Sequence, residues 1–483
     1  MFAAALSTRF ALGSWGPFHV NGQGALWLDG ALHNPEQITG YGPGYYELFH
    51  SLVGLGHDRA DIALFALNGF LSATTPLLIF ALARLLHLSW RSSIVAAMIV
   101  ALDAVSIRVA TTEAYHVPIT WLVLATSVCA SWWASSFDEL SAPSRSTRIR
   151  QQFRLLAAVC FASQAARIHP MSWPLVALSP LPVLGVLHRS HASTGSLSHK
   201  TRIALTTIVA MVVVGVGVTT IDATVLLRGL AFVRENTGSP TPSLEALRNE
   251  LSIGSLVVAA LFVAALMRVH TNGGRLALIA APSIVVMAWL RHGFQQSAIW
   301  AAAFDHLFLV MPLIAVVAAL STFSRARLVR DLAPAVVMVA LVIRLAVTPL
   351  NAEAMTTDEH EYRWLRTWAT SSSSDCDIVY VRRAGMRTFF FPTYLLRNPS
   401  RRVFGIDEQE RSRLPTPQSN RCLEYVRPAL CSSQEGERVC GDVERELNLE
   451  RISREQLPAK PSSSYLGYSR DPVEVAVYGV VPR

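Results

Sequence analysis

The stretch DIALFALNGFLSATTPLLIFALA, residues 61–83, decides the fold. It holds a single charge, Asp61 at its first position, and is followed at once by Arg84. A transmembrane helix needs roughly 20 mostly apolar residues, and this run meets that length. Reading outward, 92–107, 117–134, 203–221, 251–267, 303–321 and 332–349 repeat the pattern, with a shorter span at 276–290. The apolar stretch 155–187 is interrupted by Arg167, His169 and Pro170, so it reads as two short helices meeting at the outer face. Residues 1–15 are apolar but too short to span, and lack the basic start and cleavage site of a signal peptide. The expectation there is a first helix whose beginning is missing.

The composition agrees. Of 483 residues, 51% are hydrophobic and 16% charged, against about 25% charged in soluble domains. That deficit excludes an ordinary soluble enzyme. The net charge of +8 has a topological cause, and no nucleic-acid partner is expected. In residues 1–350, 14 Lys/Arg lie in loops on one side (84, 91, 145, 148, 150, 154, 189, 200, 202, 268, 275, 325, 327 and 330) and seven on the other (59, 108, 167, 228, 234, 248 and 291). Basic residues kept in short loops mark the cytoplasmic side. The expected architecture is an all-α polytopic membrane bundle of about 11 transmembrane helices, the first truncated, over residues 1–350. Its first outer loop is 16–60, and a small extracytoplasmic C-terminal α/β domain follows at 351–483. A multi-pass protein of the bacterial inner (plasma) membrane is implied.

Beyond Leu350, TDEHEYRWLRTWA predicts a helix with Tyr362, Leu365 and Trp368 near one face. DIVYVRRAG, RTFFFPTYLL and EVAVYGVV predict strands. Cys376, Cys422, Cys431 and Cys440 fall in this region. Four cysteines in an oxidising compartment allow three pairings. The favoured one joins Cys431 to Cys440 and Cys376 to Cys422, with a zinc site as the weaker option. Cys129 and Cys160 read as buried small hydrophobes.

Chemistry is sought where polar groups gather at one end of the bundle, because burying them in lipid is costly. Three groups stand out. The first outer loop carries His19, Asn21, Gln23, Asp29, Glu36 and Glu47; IRVATTEAYH carries Arg108, Glu113 and His116; ARIHP and LRHGFQQ carry Arg167, His169, Arg291 and His292. A carboxylate can serve as general base on an acceptor hydroxyl, and arginines can neutralise a phosphate leaving group. Glycosyl transfer from a lipid phosphate needs both. Asp29 and Glu113 are the candidate catalytic acids, and Arg108, Arg167, Arg291 and His292 the candidate phosphate ligands. Each has a plainer reading: a helix-end arginine is ordinarily an interfacial anchor, Asp29 a solvated loop acid, and Glu113 a cap for the helix near His116. Asp103, deep in an apolar run, reads as a functional or bracing group.

The elements YGPGYYELFHSL (41–52), LARLL (82–86) and LDAVSIRVATTEAYHVPITW (102–121) together resemble the GT-C membrane glycosyltransferases. Among these, the family-39, mannosyltransferase-like and lipid A aminoarabinose transferase-like enzymes look nearest. Their outer loop leads into a His/Pro-Pro-x-Tyr-Tyr element, a place held here by Tyr41 to Tyr46, including Tyr45. Arg108 to Glu113 matches their next outer segment. The resemblance implies a polyprenyl-phosphate sugar donor, a glycan, lipid or protein acceptor on the extracytoplasmic side, inversion at the anomeric carbon, and often a divalent cation nearby. No metal ligand set is assigned. Those enzymes place an Asp early in the first outer loop. That position falls here at Asn21 to Gly24, which holds no acid, and Asp29 is the nearest carboxylate. The competing readings are a polytopic transporter and an inactive GT-C-like assembly protein. The chain shows no internal repeat, and its polar groups collect at one face, which favours surface chemistry over passage.

Overall fold

The structure is a computed structural model. It describes residues 2–13, 15–16, 59–112, 114–136, 145–169, 172–194, 274–282, 357–371, 375–381, 402–406, 421–459 and 471–481, together with 414–415 and single positions within 44–52, 209–212 and 263–267. The spans expected at 251–267, 303–321 and 332–349 lie wholly or largely outside these residues, as does most of that at 203–221; of the span at 276–290, residues 276–282 are described and are helical.

In chain order the helices are α1 (Phe2–Leu12), α2 (Ala60–Leu85), α3 (Trp90–Ala101), α4 (Ala104–Ala110), α5 (His116–Ser135), α6 (Arg145–Ile168), α7 (Trp173–Leu178), α8 (Leu181–Thr194) and α9 (Thr357–Ser371). At 1.5 Å per residue, α2 is about 39 Å long and α5 about 30 Å, enough for a hydrocarbon core of roughly 30 Å. Both are apolar enough to cross a membrane. α5 and α6 pack through small side chains. Ala158, Ala162, Ala165 and Ala166 are buried on α6, and Ala125, Ala130 and Ala134 on α5. Small residues let helix backbones approach where lipid supplies no hydrophobic drive.

Two expectations are corrected. The span read at 92–107 is broken: α3 ends at Ala101, and Asp103 caps α4, its Oδ2 accepting the Ser106 N–H at 2.7 Å. An Asp side chain competes for backbone donors and so favours a cap over a helix interior. The carbonyls freed by the break are met from α1. Arg9, fully buried, donates to the carbonyls of Val100 at 3.1 Å and Ala101 at 3.0 Å, and to Ser72 Oγ at 2.7 Å. A helix end within a bilayer is stable only when its orphan carbonyls find such donors. Arg145, Arg148, Arg150, Arg154 and Arg189, counted above in loops, lie instead in α6 and α8. α6 begins at Arg145, with Gln151 donating to the Ser136 carbonyl at 3.2 Å and Arg154 lying 3.9 Å over the Trp132 ring. α8 runs on to Thr194.

The C-terminal region holds strands β1 (Asp377–Val381), β2 (Val403–Ile406), β3 (Leu423–Arg427), β4 (Leu449–Leu457) and β5 (Val473–Val480), with α10 (Gln434–Glu446) between β3 and β4. They form one mixed sheet in the order β2-β1-β3-β5-β4. β1 pairs in parallel with β2 and β3, while β5 runs antiparallel to β3 and β4. Every residue of β1 is buried, as a central parallel strand covered on both faces requires. RTFFFPTYLL lies outside the described residues. Cys376 is bonded to Cys422 and Cys431 to Cys440, so these thiols are not metal ligands. The first bridge ties the starts of β1 and β3. The second ties α10 to the 3₁₀ turn Ala429–Ser432.

Beside the first bridge, Asp377 receives Arg402 Nη2 at 2.6 Å and Arg421 Nη1 at 3.1 Å. Burial opposes ionisation of Asp377, but the two guanidiniums outweigh it and hold the carboxyl below its ordinary 3.8. A carboxyl depressed in the folded state stabilises above its unfolded value, and that contribution is lost as pH falls through the folded one. Acid should therefore loosen the β1–β2–β3 edge below about pH 4. Asp377→Asn should flatten this acid limb in a pH series of thermal unfolding. Both arginines are about half exposed, so solvent screening limits the effect to about 1 kcal/mol or less.

Candidate functional site

One end of the helical bundle collects polar groups from five segments. They are the C-terminus of α1, the N-terminus of α2, the turn 111–115, the C-terminus of α6, and the described positions near Gly44 and Glu47.

The turn 111–115 is the most heavily braced. Its described residues, Thr111, Thr112, Ala114 and Tyr115, fall between α4 and α5. The Ala114 and Tyr115 carbonyls accept the Val117 and Ile119 N–H groups of α5 at 3.1 and 3.2 Å. Buried polar backbone groups outside a ladder need other partners. Asn68 of α2 supplies them: its Nδ2 donates to the Thr112 carbonyl at 2.7 Å and the Ala114 carbonyl at 3.5 Å. Thr112 Oγ1 donates to the Val109 carbonyl at 2.7 Å and accepts the Ala114 N–H at 3.2 Å. Thr111 Oγ1 accepts the Trp15 N–H at 3.1 Å. Thr111, Thr112 and Asn68 are all fully buried. The two carbonyls held by Asn68 thus stand on either side of Glu113 in the chain.

Next to this turn, Tyr115 lies between two imidazoles. Its ring stacks on His116 with centroids 4.1 Å apart and on His169 at 4.4 Å, the latter pair parallel to 4°. All three side chains are almost fully buried. His169 sits where α6 stops. Ser172 holds that stop, its hydroxyl donating to the carbonyls of Ala165 and His169, each at 2.7 Å, and its N–H to His169 O at 2.9 Å. Two residues before His169, Arg167 forms an ion pair with Glu47, their side chains 25% and 51% exposed. An exposed pair of this kind contributes about 0–1 kcal/mol, so the Arg167 fork is cheaply exchanged from a carboxylate to another anion.

Gly44 makes the contact with Arg167 close. A Cβ on residue 44 would stand 2.9 Å from Arg167 Cβ and 3.2 Å from its carbonyl carbon. Gly44→Ala should therefore push the loop from the end of α6, at about 1–3 kcal/mol, the usual cost of overpacking. The check is a lowered thermal midpoint; an unchanged midpoint would show that the approach is not needed.

Of the residues singled out in the sequence, the structure gathers His116, His169, Arg167 and Glu47, the last two as an ion pair. Arg108 lies in α4, its side chain outside the described set. His19, Asn21, Gln23, Asp29, Tyr45, Glu113, Arg291 and His292 lie outside the described residues. Tyr115 and Asn68 carried no assignment from the sequence. Asn68 was findable, as a polar side chain two turns into an apolar span. Among the described residues, no group of three His, Cys, Asp or Glu is placed to hold a metal.

No protein-family model and no curated protein matches the chain. Solved structures do. The chain is similar to ArnT from Cupriavidus metallidurans bound to undecaprenyl phosphate, with a TM-score of 0.55 and 12% identity over 99% of this chain and 97% of that one. It is also similar to the oligosaccharyltransferase of Archaeoglobus fulgidus in the apo form, with a TM-score of 0.50 and 10% identity over 97% of this chain and 74% of that one. At such identity the likeness establishes the fold.

Proposed function

We propose that this chain, which has the polytopic fold of the GT-C membrane glycosyltransferases with a C-terminal domain, moves a sugar from a polyprenyl-phosphate donor to an extracytoplasmic acceptor. The product belongs to a cell-envelope glycan or glycolipid. In this reading residues 1–350 form a membrane domain of about 11 spans, residues 351–483 an extracytoplasmic domain, and the end holding Arg167 faces away from the cytoplasm of a bacterial inner membrane. The arginine distribution supports that orientation.

One observation carries the reading: Arg167, paired with a carboxylate it can exchange, stands two residues before His169, whose ring stacks with Tyr115, and Tyr115 with His116, directly after the backbone that Asn68 braces. Glu113 or Asp29 removes the proton from the acceptor hydroxyl as its oxygen attacks the anomeric carbon. The bond from that carbon to the phosphate oxygen breaks, and polyprenyl phosphate leaves with the electron pair. Attack opposite the leaving group inverts the anomeric centre. Arg108, Arg167, Arg291 and His292 receive the charge that develops on the phosphate. The stack holds its position against the end of α6, which keeps the Arg167 fork aimed. Because Glu47 already occupies that fork, the incoming phosphate displaces one anion with another and leaves no guanidinium bare.

The test is alanine substitution at Asp29, Glu113 and Arg108 in the native host, with the envelope glycans and glycolipids profiled. Loss of one defined species in all three variants is expected. Persistence of every species in all three would overturn the reading.

A further inference from the structure

α2 carries a polar stripe that reaches beyond the site. Asp61, Phe65 and Asn68 are spaced i, i+4 and i+7, so they share one helix face. At the outer end of the stripe the Asp61 carboxylate accepts hydrogen bonds from the Tyr362 hydroxyl and the Arg366 guanidinium of α9. The Phe65 ring meets Tyr362 at 6.0 Å. Two turns along, Asn68 holds the carbonyls of Thr112 and Ala114. α9 is itself fastened to the C-terminal sheet region. Glu361 Oε1 accepts the Ala429 N–H at 2.8 Å, and Thr357 Oγ1 donates to the Pro458 carbonyl at 2.7 Å. Asp61, Asn68, Thr357 and Glu361 are all essentially buried.

We propose that Asn68 is the positioning residue for the backbone of Thr112 and Ala114, the chain neighbours of Glu113, and that the C-terminal sheet, acting through α9 and Asp61, sets the pose of α2 from which Asn68 works. The role given to Glu113 rests on the proposed transferase function; the mechanical link does not. An asparagine that merely joined helices would bond to another helix or side chain. Asn68 instead bonds the carbonyls of Thr112 and Ala114, which lie between α4 and α5. Such backbone is tolerated at membrane depth only when protein groups satisfy it; the Ala114 carbonyl also accepts the Val117 N–H at 3.1 Å, so loss of the amide falls chiefly on the Thr112 carbonyl. The coupling has a physical warrant in an unbroken chain of packed and hydrogen-bonded groups. The C-terminal domain is then a structural part of the catalytic frame, in addition to any contact it makes with acceptor.

Hydrogen exchange on the full-length protein in lipid nanodiscs tests this. Asn68→Leu should speed exchange of the amides at 112–117 about tenfold, and Tyr362→Phe, far from that turn, should speed the same amides about threefold. In transfer assays Asn68→Leu should lower kcat about a hundredfold, the scale of a misplacement near 1 Å, with KM for the lipid donor within about twofold of wild type. Unchanged exchange at 112–117 in Asn68→Leu would overturn the positioning role. Unchanged exchange there in Tyr362→Phe would overturn the coupling. Tyr362→Phe keeps its ring and removes one hydroxyl, so it reads the coupling even where Asn68→Leu fails to fold. Faster exchange in a protein whose Glu113→Gln variant retains full transfer would uphold the link and reject the catalytic role of Glu113. Flat exchange with an inactive Glu113→Gln variant would do the reverse.

Discussion

Glu113→Gln or Asp29→Asn, whichever removes the base, should lower sugar transfer by about 10²–10⁴-fold, the contribution of a positioned general base. Each amide keeps the size of its acid and its capacity to hydrogen-bond, but takes no proton at neutral pH. Loss of activity would then report proton transfer and not packing. The turn flanking Glu113 is braced by Asn68, Thr111 and Thr112, so Gln is expected to occupy the place of the acid without disturbing the fold. The pair also sorts the roles. If one acid is the base and the other orients the acceptor, the double variant should fall little below the weaker single variant, since groups serving one step are not additive. Transfer from a polyprenyl-phosphate donor in isolated membranes is the measurement. Wild-type transfer in both variants would remove these acids from the mechanism.

The second large effect concerns the bridges in the C-terminal region. Cys376–Cys422 closes a separation of 46 residues and Cys431–Cys440 one of nine. Loop-closure entropy assigns about 4 kcal/mol to the longer loop and about 2.6 kcal/mol to the shorter. A small mixed sheet has a modest net stability, so the Cys376→Ser, Cys422→Ser double variant should leave the sheet open to protease at temperatures the wild type survives. The Cys431→Ser, Cys440→Ser variant should fall between them. Limited proteolysis across a temperature series is the check, and equal resistance of the two variants would contradict the entropic ranking. Because α9 joins this sheet to Asp61, loss of the longer bridge should also lower transfer.

Much of the helical fold was legible before any coordinates. The runs 61–83 and 117–134 became α2 (Ala60–Leu85) and α5 (His116–Ser135), because a long apolar run has one low-energy way to satisfy its backbone in lipid. The face of α9 was legible as well: Tyr362, Leu365 and Trp368 are buried together, as their spacing implies. The break at Asp103 was not, because a cap is visible only when the donor it meets is known. Nor were β2, β3, β4 and α10. β2 has four residues, and β4, LERISREQL, is a mostly exposed edge strand with little apolar signal.

Composition and arginine placement by themselves determined a membrane bundle with a polar C-terminal appendage, together with the residue types that a phosphate-handling end would need. Those properties are local, written in the hydropathy and charge of consecutive residues. Tertiary structure alone decided that Glu47 meets Arg167, that Tyr115 stands between His116 and His169, and that Asp61 holds α9 while Asn68 holds the turn beside Glu113. Apart from the chain neighbours Tyr115 and His116, these partners stand 44 to 301 positions apart and leave no periodic trace in the sequence. They meet because the packing of small-residue helix faces fixes where each helix ends, and those ends carry the polar groups.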